Sequence, residues 1–222
     1  MGLTATALGG TAAYLALRKR GDVVILYAGT APEPGHVATF RNAANAARAQ
    51  VGGTPAAVYD GQTLLAAIRQ HRRIRTLLLV GHGTSTAFIR PGTSGLRLGS
   101  TSLPTWVGVE DFARELAPRL SSGWWLGLLG CRAAATSDEP DWSSVTAGPG
   151  GAASLAGQLR DALVRAGAPY GRVGGHTTTG STVANPRVRE FSTRTPGAPG
   201  TVTAGVTQGA VAQRWAFTGA IA

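Results

Sequence analysis

The chain has one cysteine, Cys131, among 222 residues, so no disulfide can form within it. It has one lysine, Lys19, and charged residues make up 14% of the whole, against about 25% in ordinary soluble domains. No uninterrupted apolar run reaches the roughly 18 residues that a membrane-spanning helix needs. One cysteine and four dispersed histidines give no zinc-ligand spacing, so no metal site is expected. The glycine-rich stretch at 147–151 lacks a following Gly-Lys-Ser/Thr, which removes the basis for a phosphate loop. A chain without disulfides suits a reducing compartment, and a cytoplasmic location is the expectation.

What is present is apolar, small and basic. Hydrophobic residues make up 43%, enough for the core of one domain of this length. The net charge of +10 comes almost wholly from arginine, which grips carboxylates and phosphates bidentately. The arginines are scattered, however. Their densest cluster (Arg69, Arg72, Arg73, Arg75) falls at a helix end, where cations are favoured. Nucleic acid is therefore not the expected partner. Residues 1–21 form an apolar extension in which Arg18-Lys19-Arg20 follows the apolar part, the reverse of a secretory signal. A helix is expected there, with residues 3–17 a candidate for docking on a partner. Residues 22–222 are read as one domain.

The patterning within that domain alternates. Asp22 to Gly29 reads as a buried strand, and His36 to Ala49 as a helix with Val37, Phe40, Ala44 and Ala47 on one face. Thr54 to Tyr59 is a second strand. Asp60 is placed to cap a helix over Gln62 to His71, with Leu64, Leu65 and Ile68 inward. Ile74 to Val80 is a third strand. This β-α-β-α-β order predicts a mostly parallel sheet with right-handed crossovers. A small hairpin (Ala87 to Arg90, Leu96 to Leu98) and a helix over Val109 to Leu120 follow, with Pro118 poised to end the helix early. Trp124 to Leu129 is a fourth strand, its two tryptophans facing opposite sides of the sheet. Ala133 to Pro149 is a loop, Ala152 to Ala166 a helix and Tyr170 to Gly174 a fifth strand. Val211 to Ile221 is a candidate final strand. The fold class expected is α/β, a three-layer sandwich around a mostly parallel sheet.

Two of these strands end on a reactive residue beside glycine. Leu77-Leu78-Leu79-Val80 runs into Gly81-His82-Gly83, and Trp124 to Leu129 runs into Gly130-Cys131. Open α/β sheets carry their chemistry at the carboxyl ends of strands. A base and a nucleophile are thereby delivered to one edge. An imidazole beside a thiol, whose free pKa is about 8.5, shifts the pair toward thiolate and imidazolium. The thiolate attacks a carbonyl carbon, and the imidazolium protonates the leaving amine. The N–H groups of Gly83 and Cys131 are candidate oxyanion donors.

These segments, in this order, resemble the caspase-like cysteine peptidases (clan CD, the caspase-hemoglobinase fold). The His82-to-Cys131 separation of 49 is close to the roughly 50 residues seen in caspases. Leu129-Gly130-Cys131-Arg132-Ala133-Ala134 and the later Gly150 to Ala156 look most like the bacterial CHAT-type branch. The resemblance spans about residues 22 to 176. It implies a cysteine endopeptidase with a Cys-His dyad: Cys131 the nucleophile, His82 the base, Gly83 an oxyanion donor, and a thioester acyl-enzyme. A protein or peptide substrate is implied, and no cofactor. Metacaspases carry an Asp two residues before the cysteine to hold a basic side chain; here that position is Leu129. The acidic loop residues Asp138, Glu139 and Asp141 remain candidates for a basic side chain, and Arg132 or Arg90 for an acidic one.

Other histidines compete. A Cys-then-His176 order would suit papain-type enzymes, but those place the cysteine at a helix start, whereas Cys131 follows a strand. His176 is therefore read as a substrate-pocket or structural residue, and His36 and His71 as solvated helix residues. A different class of reading also stands: a non-catalytic module of the same fold that binds an acidic partner or nucleic acid through its arginines.

Overall fold

The structure, a computed structural model, describes residues 23–29, 35–83, 87–88, 98–99, 107–139, 149–177 and 188–203. Strand β1 (Val23–Ala28) leads to helix α1 (His36–Val51), β2 (Thr54–Val58), helix α2 (Gly61–Arg69) and β3 (Ile74–Val80). Short strands β4 (Ala87–Phe88), β5 (Leu98–Gly99) and β6 (Val107–Gly108) form a separate small sheet. Helix α3 (Val109–Leu116), β7 (Leu120–Leu129), helix α4 (Leu155–Arg165), β8 (Gly171–His176), β9 (Val188–Ser192) and β10 (Thr201–Thr203) complete the described elements.

The main sheet runs β10-β9-β8-β7-β3-β1-β2. Strands β2, β1, β3, β7 and β8 are mutually parallel, while β9 and β10 are antiparallel to their neighbours. The fold is thus α/β on a mostly parallel mixed sheet. Right-handed crossovers dictate where the helices go. The step from β1 to β2 runs toward one edge, and every later parallel step runs toward the other. Helix α1, which packs on β1 and β2, therefore covers one face. Helices α2, α3 and α4, which pack on one another in series, cover the opposite one. The arrangement is compatible with a three-layer sandwich.

The core follows from the apolar runs. Leu77, Leu79 and Val80 of β3, and Leu126 and Leu128 of β7, have no exposed surface. Each such side chain contributes about 1.5–3 kcal/mol through removal from water. Asp60 caps α2 reciprocally: its Oδ1 accepts from Thr63 N–H at 2.7 Å, and Thr63 Oγ1 accepts from Asp60 N–H at 2.9 Å. Pro118 ends α3 early, and a 3-10 turn (Ala117–Arg119) carries the chain into β7. Leu120, read from the sequence as the last residue of that helix, instead opens the strand. Trp124 and Trp125 are both buried at successive strand positions, hence on opposite faces. Trp124 covers its partner-strand neighbour Gly171, where a Cβ would fall 2.2 Å from the indole, and donates to Pro169 O at 2.7 Å.

The sequence pattern did not predict β6, β9 or β10. The extension 1–21, the hairpin turn 89–97 and the strand expected at Val211 to Ile221 lie outside the described residues. Among the described residues, no helix is long and apolar enough to cross a membrane.

Candidate active site

The strand registers align one rim. Val80 is level with Leu129, and Leu128 with Gly175. The next positions along are Gly81-His82 after β3, Gly130-Cys131 after β7, and His176 closing β8. His82 and Cys131 thus leave the carboxyl ends of adjacent parallel strands, whose backbones run about 4.8 Å apart. Beyond the strands, Gly81 N–H still donates to Leu129 O at 3.2 Å.

The two motifs touch through their backbones. A Cβ on Gly83 would lie 2.6 Å from the Cys131 carbonyl oxygen and 3.0 Å from its nitrogen. Real side chains do not tolerate that approach. Residue 83 must be glycine for a local reason: it lets the His82 loop close onto the Cys131 peptide. The candidate oxyanion donors, Gly83 and Cys131, are therefore immediate neighbours.

Cys131 is half-buried and begins a tight turn anchored on three sides. Ala134 N–H donates to His176 O at 3.0 Å, and Ala156 N–H, in α4, donates to Ala133 O at 2.9 Å. The third anchor is Arg189 of β9, 1% exposed, whose Nη1 donates to Ala134 O at 2.7 Å and to Glu139 Oε2 at 2.8 Å. Arg132 has φ of 53°, a left-handed conformation that costs a non-glycine residue about 1–2 kcal/mol. Its guanidinium closes the turn by donating through Nη2 to Thr136 O at 3.0 Å and Glu139 O at 2.5 Å. Strained backbone held by surrounding contacts is frequent beside catalytic groups.

His82 is half-buried and packs on α1. Its Nε2 lies 2.8 Å from Nδ1 of His36, and the Phe40 ring meets it edge-on at 4.9 Å. His36 is thus no solvated helix residue. It opens α1, just after the carboxyl end of β1, and stands over the neighbouring strand's histidine. Sequence reasoning missed it because its partner comes from 46 residues away. The available signal was its place on the same edge as His82, where the strand order reverses between β1 and β3.

The remaining site residues fall into different settings. Asp138 is exposed, and hydrogen bonds from Thr136 and from its own backbone hold its carboxyl below the ordinary value. Glu139 has its carboxylate on Arg189, and Arg132 has its guanidinium on the turn, so both serve the shape of the Cys131 loop. Asp141 and Arg90 lie outside the described residues. His176 is 2% exposed, and burial pushes its pKa down to about 3, so the ring is neutral across the physiological range. Among the described residues, no group of three His, Cys, Asp or Glu side chains is placed to hold a metal ion.

Several arginines hold partners within the chain. Besides Arg189, Arg160 is fully buried and donates to Thr195 O at 2.8 Å and Ala198 O at 3.2 Å. Arg69 grips Glu115 with two hydrogen bonds, at 2.7 and 3.1 Å. Arg73 donates to Ser121 Oγ at 3.0 Å. Arg160 and Arg189 are thereby withdrawn from an external polyanion, whereas Arg69 and Arg73 remain exposed.

Comparison with protein-family models, with curated proteins and with solved structures found no match to the chain.

Proposed function

We propose that this protein is a caspase-like cysteine endopeptidase, closest in its motifs to the CHAT-type branch. Cys131 is the nucleophile, His82 the general base and then acid, and the N–H groups of Gly83 and Cys131 the oxyanion donors. The observation that carries the reading is the close contact of Gly83 with the Gly130-Cys131 peptide. It joins the backbones that follow β3 and β7 at the carboxyl edge of a parallel sheet, which supports a dyad of His82 and Cys131 there.

The reaction is acyl transfer. The thiol proton passes to His82 and the sulfur adds to the scissile carbonyl. The imidazolium then protonates the departing amine, leaving a thioester that water hydrolyses. The half-buried setting of Cys131 gives a peptide access, and its anchored turn supplies the fixed donor geometry that such stabilisation needs. The substrate class is a protein or peptide, the setting a reducing, cytoplasmic one. Residues 3–17 are a partner-docking element.

Intact-mass labelling with acyloxymethyl-ketone peptides that differ at the first recognised side chain tests the assignment. One adduct per chain is expected, lost in Cys131→Ala, and the preferred probe reports whether the pocket is acidic or basic. Turnover of a peptide substrate by Cys131→Ala at the wild-type rate would overturn it.

A further inference from the structure

The pairing of His82 with His36 defines a second imidazole beside the reactive edge. The Nε2 of His82 and Nδ1 of His36 are 2.8 Å apart, with ring centroids at 4.6 Å and planes at 67°. Phe40, one helical turn along α1 and 3% exposed, lies edge-on against His82 with an interplanar angle of 89°. The His82 ring is thus gripped by two side chains of one helix.

We propose that His36 is a positioning residue that fixes the tautomer and orientation of His82. The inference rests on the Cys131–His82 reading above. A hydrogen bond between two imidazole nitrogens needs one donor and one acceptor. Were His36 the donor, His82 would carry its proton on Nδ1, and its basic nitrogen would be the one already facing His36. With His82 as the donor, its Nε2–H points at His36 Nδ1, and its own Nδ1 becomes the base. Only the second arrangement directs the basic nitrogen elsewhere than His36.

The proton balance is simple. The S–H bond of Cys131 breaks, an N–H bond forms at His82 Nδ1, and His36 neither gains nor loses a proton. The resulting imidazolium keeps its Nε2–H on His36, and that hydrogen bond strengthens because its donor is now charged. His36 therefore favours the ion pair over the neutral pair. When the leaving group departs, the Nδ1 proton goes with it and the original tautomer returns. Partners of this kind commonly set which ring nitrogen of a histidine is reactive.

The test uses the full chain and one acyloxymethyl-ketone peptide as probe, with inactivation resolved into a limiting rate (kinact) and a binding constant (KI). In this reaction the thiolate displaces the carboxylate leaving group and a thioether forms. His36→Phe keeps an aromatic ring but has no acceptor. It is expected to lower kinact about 10- to 100-fold with KI little changed. His36→Gln, whose amide oxygen can take the Nε2–H, is expected to recover most of the rate. Nitrogen-15 spectra of the wild-type protein at neutral pH should show His82 protonated on Nε2, a measurement that needs no variant to fold. Wild-type kinact in His36→Phe, or a His82 protonated on Nδ1 alone with Nε2 bare, would overturn the proposal while Cys131 labelling stood. Failure of the probe to label Cys131 in any variant would instead remove the dyad reading on which it rests.

Discussion

His176 closes β8 with its ring inside the protein, and burial lowers its pKa from 6.5 to about 3. Between those values the unfolded chain holds a proton that the folded chain does not. The neutral ring therefore supports the fold above about pH 6.5, and this support is lost progressively as pH falls toward 3. The slope is about 1.4 kcal/mol per pH unit at most. Glu190 acts in the opposite sense, since burial raises its carboxyl pKa and the folded chain holds that proton more tightly. His176→Gln should flatten the decline of the urea midpoint on acidification, and an unchanged slope would clear His176 of the effect. Gly83→Ala is the complementary residue-scale change. Its methyl meets the Cys131 carbonyl at 2.6 Å, so the Cys131 backbone must shift, and labelling should slow by about 100-fold. Wild-type labelling would show that the contact is not needed. The strand-end placement of His82 and Cys131 was legible because each ends an apolar run beside glycine. The His36–His82 contact was not, because it joins helix α1 to the segment after β3.

Elements with simple patterns were read closely from the sequence. Strand β3 has the predicted bounds, Ile74 to Val80, because it ends in the unbroken apolar run Leu77 to Val80 and opens on Ile74. The segment Val188-Arg189-Glu190-Phe191-Ser192 has no such pattern. Its central charges find partners across the fold: buried Arg189 reaches Glu139 and Ala134, on the Cys131 turn, and half-buried Glu190 faces Arg172 at 3.7 Å. A strand stabilised by long-range ion pairs carries no local signal. The same contact makes Arg189 a clasp on the Cys131 turn. Arg189→Met should lower stability by about 3–5 kcal/mol, because a buried partner is left unpaired, and should also slow Cys131 labelling. Chemical denaturation and the labelling assay together check this; a loss of stability with labelling intact would confine Arg189 to the fold. Asp60→Ala, by contrast, should cost about 1 kcal/mol through the lost α2 cap and leave labelling unchanged.

At the scale of the whole molecule, the alternation of strands and helices was enough to predict a parallel sheet. Handedness then decided which helices share a face. The strand order reverses between β1 and β3, the place where open α/β sheets form a crevice at their carboxyl edge. His36, His82 and Cys131 all lie along that edge, contributed by the segments that follow β1, β3 and β7. The account depends on the imidazole after β3 taking the proton of the thiol after β7. With one cysteine in the chain, the second-order rate of alkylation by chloroacetamide at neutral pH reads that transfer directly, by intact mass, with no substrate needed. His82→Ala should slow alkylation of Cys131 by about 100-fold or more. Equal rates in the wild-type and His82→Ala proteins would contradict the account.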